Sequence, residues 1–463
     1  MRDEPHQCEE EAGAPRPPHR RVLMRAGLLA TIFAALLIQL GAAQTAEPAS
    51  GLRVLAAADH ANGVYAIGQV IRWRVELQGE VPSNGVPVSY AVKKGGLTTV
   101  REGQLNFTNG LAEVVTASEE PGTLLLEVRT SKHDGKKPKF LAGAVVAPED
   151  IRASAKRPED FDEFWKEKLD ELSRIPANVQ LTAGDSDRAG ADYWKITLDN
   201  IRGTHVRGQL ARPNSGGKLP AMLIVQGAGV YRLEKSWVTH RAANGWLALN
   251  INAHDLPIDR EPAFYEEQAK GALKSYWKSG YEDRERNYFL RMYLACYRAA
   301  QYLTERPDWD GKTLLAIGSS QGGLQALIAA RLRPKVSAAI AEVPGGCDMT
   351  GALVGRRPGW PAWYFQGQGT NSTSAVEASR YYAVVNFVPR IKCPVLASAG
   401  LIDEICPAAG ILAAMNTLKA PKEMVLLPQA DHIGSNDSSR EYKTRSGAWV
   451  KALRNGEPVP PGK

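Results

Sequence analysis

The apolar run Lys312-Thr313-Leu314-Leu315-Ala316-Ile317 passes directly into Gly318-Ser319-Ser320-Gln321-Gly322-Gly323. This junction constrains the chain more than any other segment. It reads as strand, sharp turn and helix, with Ser320 at the apex and a glycine two residues away on either side, where a larger side chain would crowd the bend. Such a turn lifts the Ser320 hydroxyl clear of a sheet and aims the next backbone N–H, that of Gln321, at the place where an oxyanion would form. A bare G-x-S-x-G is common by chance, so the argument rests on what surrounds it.

A nucleophilic serine needs a base, and the base needs an orienting acid; on α/β-hydrolase scaffolds these follow in the order Ser, Asp or Glu, His. Of the eight histidines, His432 alone lies after Ser320. It sits just past the apolar stretch Met424-Val425-Leu426-Leu427, where a loop can carry it over the elbow. The acid candidate closes a similar stretch, Pro394-Val395-Leu396-Ala397-Ser398-Ala399-Gly400-Leu401-Ile402-Asp403-Glu404. Asp403 is preferred to Glu404 as the first polar residue at the carboxyl end of that strand, where such folds keep their chemistry. Asp431 would have to turn back on its own neighbour to orient the ring and is read as solvated. A second oxyanion donor is expected from Gln226-Gly227-Ala228-Gly229, after Met222-Leu223-Ile224-Val225, with Ala228 N–H as the candidate.

Residues 50–147 read as short alternating strands with Gly-containing turns about every ten residues, the pattern of an immunoglobulin-like β-sandwich. The runs are 65–77, 86–92, 112–115 and 123–128. Trp73 and Tyr90 alternate with polar residues and are assigned to its core. A boundary is expected near Ala147-Pro148. Beyond it, Phe161, Phe164, Trp165, Leu169 and Leu172 mark one face of an amphipathic helix. Eight strand-like runs follow, at 193–201, 204–212, 220–227, 246–252, 312–318, 336–343, 394–400 and 422–428. Helices between the later ones imply a mostly parallel α/β sheet over residues 148–463, and Arg202-Gly203 joins the first two runs as a hairpin. The expected fold is therefore an α/β-hydrolase catalytic domain preceded by a small all-β sandwich.

The stretch from His254 to Asp283, with Tyr265, Tyr276, Trp277 and Tyr281, reads as a lid. Gly359-Trp360-Pro361-Ala362-Trp363-Tyr364 is a second aromatic loop. Aromatic faces suit pyranose rings and also pack ordinary cores, so both readings stay open. His254 and Trp360 are the candidate substrate contacts, with pairing to Asp255 the structural alternative for His254.

Residues 1–43 read as a signal peptide: Arg20-Arg21 and Arg25 precede the apolar run 26–40, and Gly41-Ala42-Ala43 suits cleavage. Met24 is an alternative start, and the arginine pair leaves Sec and twin-arginine export both open. The run is short for a membrane span, so a secreted or periplasmic protein without a stable span is expected. The net charge of +7 forms no basic stripe, which argues against nucleic-acid binding. Cys296, Cys347, Cys393 and Cys406 show no disulfide framework, although a Cys347–Cys406 bridge stays open. No His/Cys/Asp cluster has metal-ligand spacing, and neither a metal nor another cofactor is expected.

Three segments carry a family resemblance: Asp160-Phe161-Asp162-Glu163-Phe164-Trp165, the elbow Gly318–Gly323, and the long stretch from Tyr382 through Asp403-Glu404. On these the chain resembles the acetyl xylan esterase and cephalosporin C deacetylase family of serine α/β-hydrolases over roughly residues 150–440. The resemblance implies Ser320 as nucleophile, His432 and Asp403 as its partners, and Gln321 N–H in the oxyanion hole. Two departures stand out. The family's His-Gly-Tyr is here Gln226-Gly227-Ala228, and its Arg-Gly-Gln is replaced by Asn252-Ala253-His254-Asp255; Arg207-Gly208-Gln209 lies upstream in a hairpin strand and is a decoy. The expected activity is removal of acetyl or other short acyl groups from acetylated polysaccharides or oligosaccharides such as xylan, without a cofactor and with homo-oligomerisation open. A general carboxylesterase, a peptidase of the same fold, and a non-catalytic carbohydrate-binding protein are the alternatives.

Overall fold

The computed structural model describes residues 53–78, 87–130, 138–365, 373–460 and 462. The expected signal peptide lies outside the described residues.

The amino-terminal part is a pair of facing sheets. It contains β1 (Arg53–Ala58), β2 (Val64–Tyr65), β3 (Ile71–Gln78), β4 (Val88–Lys94), β5 (Thr98–Gln104), β6 (Leu111–Thr116), β7 (Gly122–Thr130) and β8 (Lys139–Val146). One sheet has the order β1-β3-β6 and the other β2-β8-β7-β4-β5. Alternate residues from both, among them Ile71, Trp73, Val75, Leu124, Leu126, Val128, Ala142 and Ala144, meet in one core, as period-two side chains require. The run read as one strand over 65–77 is two, in different sheets, because the chain turns at Gly68 (φ +73°) between them. Trp73 is fully buried, and Tyr90 packs partly buried against the same core.

The larger part follows as α1 (Phe161–Ser173), β9 (Gln180–Gly184), β10 (Ala191–Asp199), β11 (His205–Pro213), β12 (Leu219–Val225), α2 (Ser236–Ala243), β13 (Leu247–Ile251), α3 (Pro262–Lys270), α4 (Tyr288–Glu305), β14 (Trp309–Ser319), α5 (Gln321–Leu332), β15 (Ala338–Glu342), α6 (Thr373–Tyr382), β16 (Val395–Gly400), α7 (Ala408–Met415), β17 (Lys422–Leu427) and α8 (Arg440–Arg454). Its nine strands run in the order β17-β16-β15-β14-β12-β13-β11-β10-β9. Pairing is antiparallel from β9 to β13 and parallel from β13 to β17. The hairpin at Arg202-Gly203 joins β10 to β11. The additional edge strand β9 is exposed along its length, so it carries no apolar alternation to read.

Helices cover both faces of this sheet, which is why its central strands read as unbroken apolar runs. Leu314 and Ala316 of β14 face α1, α4 and α5, packing with Leu294, Leu324 and Ile328. Leu315 faces the other way, toward Val238 of α2 and Trp449 of α8. The aromatic side of α1 is buried against α4 and the 381–387 segment, where Trp165 Nε1–H donates to Tyr381 O at 2.9 Å. Both elbow and acid turn thus emerge from the carboxyl edge of a sheet fixed on two sides. Among the described residues no helix is long and apolar enough to cross a membrane.

Candidate active site

Ser320 joins β14 to α5 with φ +58° and ψ −120°, a backbone conformation that costs a serine on the order of 1–3 kcal/mol. Three backbone bonds hold it there: Ser320 N–H to Glu342 O at 2.9 Å, and Leu324 N–H and Gly345 N–H to Ser320 O at 3.1 and 3.0 Å. The flanking glycines are there for close approach. A Cβ on Gly318 would lie 2.4 Å from the Gly322 carbonyl carbon, and one on Gly322 would lie 2.7 Å from Val225 O.

The structure brings Ser320, His432 and Asp403 into one hydrogen-bonded line. Ser320 Oγ–H donates to His432 Nε2 at 2.9 Å, and His432 Nδ1–H donates to Asp403 Oδ2 at 2.8 Å. The other carboxylate oxygen, Oδ1, accepts from Ile405 N–H and Cys406 N–H, each at 2.8 Å. Asp403 therefore has a fixed rotamer and one oxygen left for the ring. Asp431, expected in solvent, instead shapes the histidine turn: its carboxylate accepts from Ser435 N–H at 2.9 Å, Ser435 Oγ–H at 2.6 Å and Ile433 N–H at 3.2 Å. Glu404 points away from His432 and pairs with Lys139 and Arg357.

Burial works against the His432 imidazolium, but the Cys406 and Asp403 side chains beside the ring outweigh it and hold its pKa above the usual histidine range. Burial also pushes the Cys406 thiol up, so near neutrality Cys406 is uncharged and Asp403 supplies the attraction. Since a base must be neutral to take a proton, kcat/KM is expected to fall as pH drops through the raised His432 pKa, with a midpoint above about 6.5. A pH-rate profile on a small acetyl ester, with folding followed in parallel, checks this.

The loop that follows β12 is held by residues far apart in sequence. Gln226 O accepts from Gln325 Nε2 at 2.7 Å, and Gly227 O accepts from Gln321 Nε2 at 3.2 Å. Gln226 also anchors itself, donating to Tyr231 O at 2.9 Å and accepting from Ala253 N–H at 3.0 Å. Gly229 N–H donates to Tyr276 Oη at 3.4 Å, and Tyr276 O–H donates to Gln321 Oε1 at 2.5 Å. Tyr231 closes over Gly227, its hydroxyl oxygen 3.2 Å from where a Cβ on that glycine would stand. Ala228, between Gly227 and Gly229, packs partly buried against the core of the catalytic sheet, and Gln321 opens α5 directly after Ser320, where the first amides carry the helix's positive end.

His254 holds this loop rather than substrate. Its Nε2–H donates to Gly229 O at 2.7 Å, and its Nδ1 accepts from Tyr288 O–H at 2.8 Å. Both ring nitrogens are thus used and the residue is 3% exposed. Nor does it pair with Asp255, whose carboxylate accepts from His205 N–H and Arg207 Nε–H, each at 2.9 Å. Burial lowers the His254 pKa to about 3, so the ring stays neutral and keeps one donor and one acceptor. Replacing His254 by Phe preserves the ring's bulk and removes both bonds. Because losing a well-placed oxyanion donor costs about 10²–10³ in kcat, a partial loosening through Gly229 is expected to lower kcat by roughly 10- to 100-fold with a smaller change in KM. Steady-state kinetics on an aryl acetate measure that split.

Trp360 and Trp363 belong to a buried aromatic wall with Trp277 and Phe289. Trp360 is tied to the site at both backbone groups, its N–H donating to Ile405 O at 2.8 Å and its carbonyl accepting from Gly346 N–H at 2.7 Å. Its Nε1–H is buried and has no hydrogen-bond partner among the described residues. Tyr265 and Tyr276, read as lid aromatics, are buried inward. Gln325 and Tyr231 went unremarked in the sequence. Gln325 did carry a signal, as a polar residue one turn after Gln321 in a helix that is otherwise apolar as far as Ala330. The cysteines Cys296, Cys347, Cys393 and Cys406 are buried free thiols. No cluster able to hold a metal ion occurs among the described residues.

A family model described as acetyl xylan esterase matches residues 149–449. Acetyl esterase Axe7A of Xylanibacter ruminicola (strain ATCC 19189 / DSM 19721 / CIP 105475 / JCM 8958 / 23) is 32% identical over 392 residues, covering 82% of this chain and 87% of the relative. Among solved structures, acetyl xylan esterase 1 from Thermoanaerobacterium sp. JW/SL YS485 superposes with a TM-score of 0.55 at 20% identity, over 64% of this chain and 96% of that one. The acetyl xylan esterase from Paenibacillus sp. R4 gives 0.56 at 24%, over 66% and 98%. At these identities the structural likeness shows the fold, an α/β-hydrolase sheet.

Proposed function

This chain belongs to the acetyl xylan esterase family and is an esterase, and we propose that it is an exported serine esterase that removes acetyl groups from acetylated xylan or a similar polysaccharide. The observation that carries the mechanism is the line from Ser320 Oγ through His432 to Asp403 Oδ2. Ser320 attacks the ester carbonyl while His432 Nε2 takes its proton, and Asp403 steadies the imidazolium. The oxyanion forms against Gln321 N–H and Ala228 N–H. His432 then gives that proton to the sugar oxygen as its bond to the acyl carbon breaks, leaving acetyl-Ser320 and a free sugar hydroxyl. Water, deprotonated by the same nitrogen, attacks the acetyl carbon, and acetate leaves as the proton returns to Ser320 Oγ. No step calls on a cofactor.

For the substrate, support comes from the family and from the curated relative, which is named an acetyl esterase. Export rests on the arginine-flanked apolar run before residue 43.

Acetate release from acetylated xylan by the mature chain, beside a Ser320→Ala variant and a chemically deacetylated control, tests the proposal. Release by the parent alone supports it. Turnover of a small aryl acetate with no release from xylan would keep the esterase and overturn the polysaccharide.

A further inference from the structure

We propose that the β-sandwich is a positioning part of the catalytic site, seated on the turn that carries Asp403. This rests on the reading of Asp403 as the acid of the triad. An antiparallel sheet on the outside of a protein ordinarily shows one face to water, but β7 and β8 do not. Leu124, Leu126 and Val128 enter the sandwich core, while Thr123, Leu125 and Glu127 on the opposite face are also buried. In β8, Val145 leaves the sandwich core and joins the core of the catalytic sheet.

The covered face meets the acid turn at backbone distance. A Cβ built on Gly143 of β8 would lie 2.4 Å from Leu401 Cβ, 2.5 Å from Leu401 O and 2.6 Å from its carbonyl carbon. One on Gly63 would lie 2.7 Å from Leu401 Cδ1. A glycine inside a strand often marks such an approach of another backbone. Leu401 is two residues before Asp403 and itself donates its N–H to Leu427 O at 3.0 Å.

On the other side of Asp403, Glu404 is held by Lys139 of β8 and by Arg357 Nη1 at 2.8 Å. Arg357 N–H in turn donates to Gly95 O at 2.9 Å, in the turn between β4 and β5. The sandwich therefore grips the residues before and after the acid. The cavity at this seam measures about 20 Å³, room for roughly one water and none for a sugar. Packing of α7 on β7 extends the seam beyond the turn.

Gly143→Ala is the probe. The Gly143 backbone is outside the left-handed region, so alanine adds only its methyl. Opening a 2.4 Å approach to ordinary contact displaces the acid turn by about 1 Å, a misplacement that costs on the order of 10²-fold where catalytic geometry is strict. Active sites are counted by end-point fluorophosphonate titration, and kcat, KM and the pH profile are measured on an aryl acetate for the parent, Gly143→Ala and Ser320→Ala.

The expected result is a full count of sites in Gly143→Ala, kcat per site lowered about 10- to 100-fold, KM within about twofold of the parent, and the acid limb moved down as Asp403 loosens from His432. Parent-like kcat per site and acid limb, or a loss explained wholly by fewer sites, overturns the proposal. Should Gly143→Ala fail to fold, Lys139→Met removes one arm of the grip without adding bulk. A severalfold loss per site with the same downward limb is then expected, and parent values overturn the proposal. Retained activity in Ser320→Ala would take down the triad reading and this inference together; an inactive Ser320→Ala beside a parent-like Gly143→Ala removes the inference alone.

Discussion

Replacing Ser320 by Ala lowers kcat on an acetyl ester by roughly 10⁵- to 10⁶-fold, leaving the slow turnover that an oxyanion hole and bound water sustain without a nucleophile. Nothing near Ser320 substitutes for it. Cys406 lies beside His432, but burial raises its pKa, and a thiol held neutral is a weak nucleophile. The backbone of the elbow is held by Glu342 O, Leu324 N–H and Gly345 N–H rather than by the Ser320 side chain. Alanine is therefore expected to leave the thermal midpoint within a degree or two, which separates lost chemistry from lost fold. Initial rates and a melting curve on the same preparation check both halves.

Asp403→Asn is expected to lower kcat by about 10⁴-fold, although Asn is nearly isosteric. The reason is in the turn. Oδ1 of Asp403 accepts from the N–H groups of Ile405 and Cys406, so an asparagine there must place its carbonyl oxygen toward them and its NH₂ toward His432. Nδ1 of the ring would then have to accept, and the proton would sit on Nε2, facing Ser320. That tautomer cannot take the serine proton. The remaining activity should also show its acid limb at lower pH than the parent, because the carboxylate that raises the His432 pKa is gone. Rates across pH 5 to 9 measure the two effects together.

Much of this arrangement was legible in the sequence because the elbow is local. Strand, glycine spacing and helix are all written within residues 312–332, and chain order then left His432 as the one histidine able to follow Ser320. The parallel strands announced themselves as apolar runs, since helices cover both sides of the sheet. What stayed hidden depends on contacts between distant segments. His254 meets Gly229, and Tyr276 meets Gln321, only once β12, β13 and β14 lie side by side. Neither pairing leaves a periodicity, so the sequence offers His254 as a substrate contact or a partner of Asp255 and points to neither Gly229 nor Tyr288.

The sandwich was read less completely, for a physical reason visible in β8. The run Lys139-Phe140-Leu141-Ala142-Gly143-Ala144-Val145-Val146 lacks polar alternation because both of its faces are covered. Strand β5 fails in the opposite sense, being exposed from end to end. The continuous apolar stretch Leu124-Leu125-Leu126 was the available sign that this sheet has no solvent face. Its meaning needed the position of Leu401.

The measurement that tests the account most directly is a rapid acid quench of the enzyme turning over an acetylated xylo-oligosaccharide, followed by mass mapping of its peptides. The account predicts an acetyl group on the Ser320 peptide at early times, accumulating further in a variant slowed in the second step and absent after Ser320→Ala. Acetate released at the parent rate with Ser320 never acetylated, or turnover that survives Ser320→Ala, would contradict it.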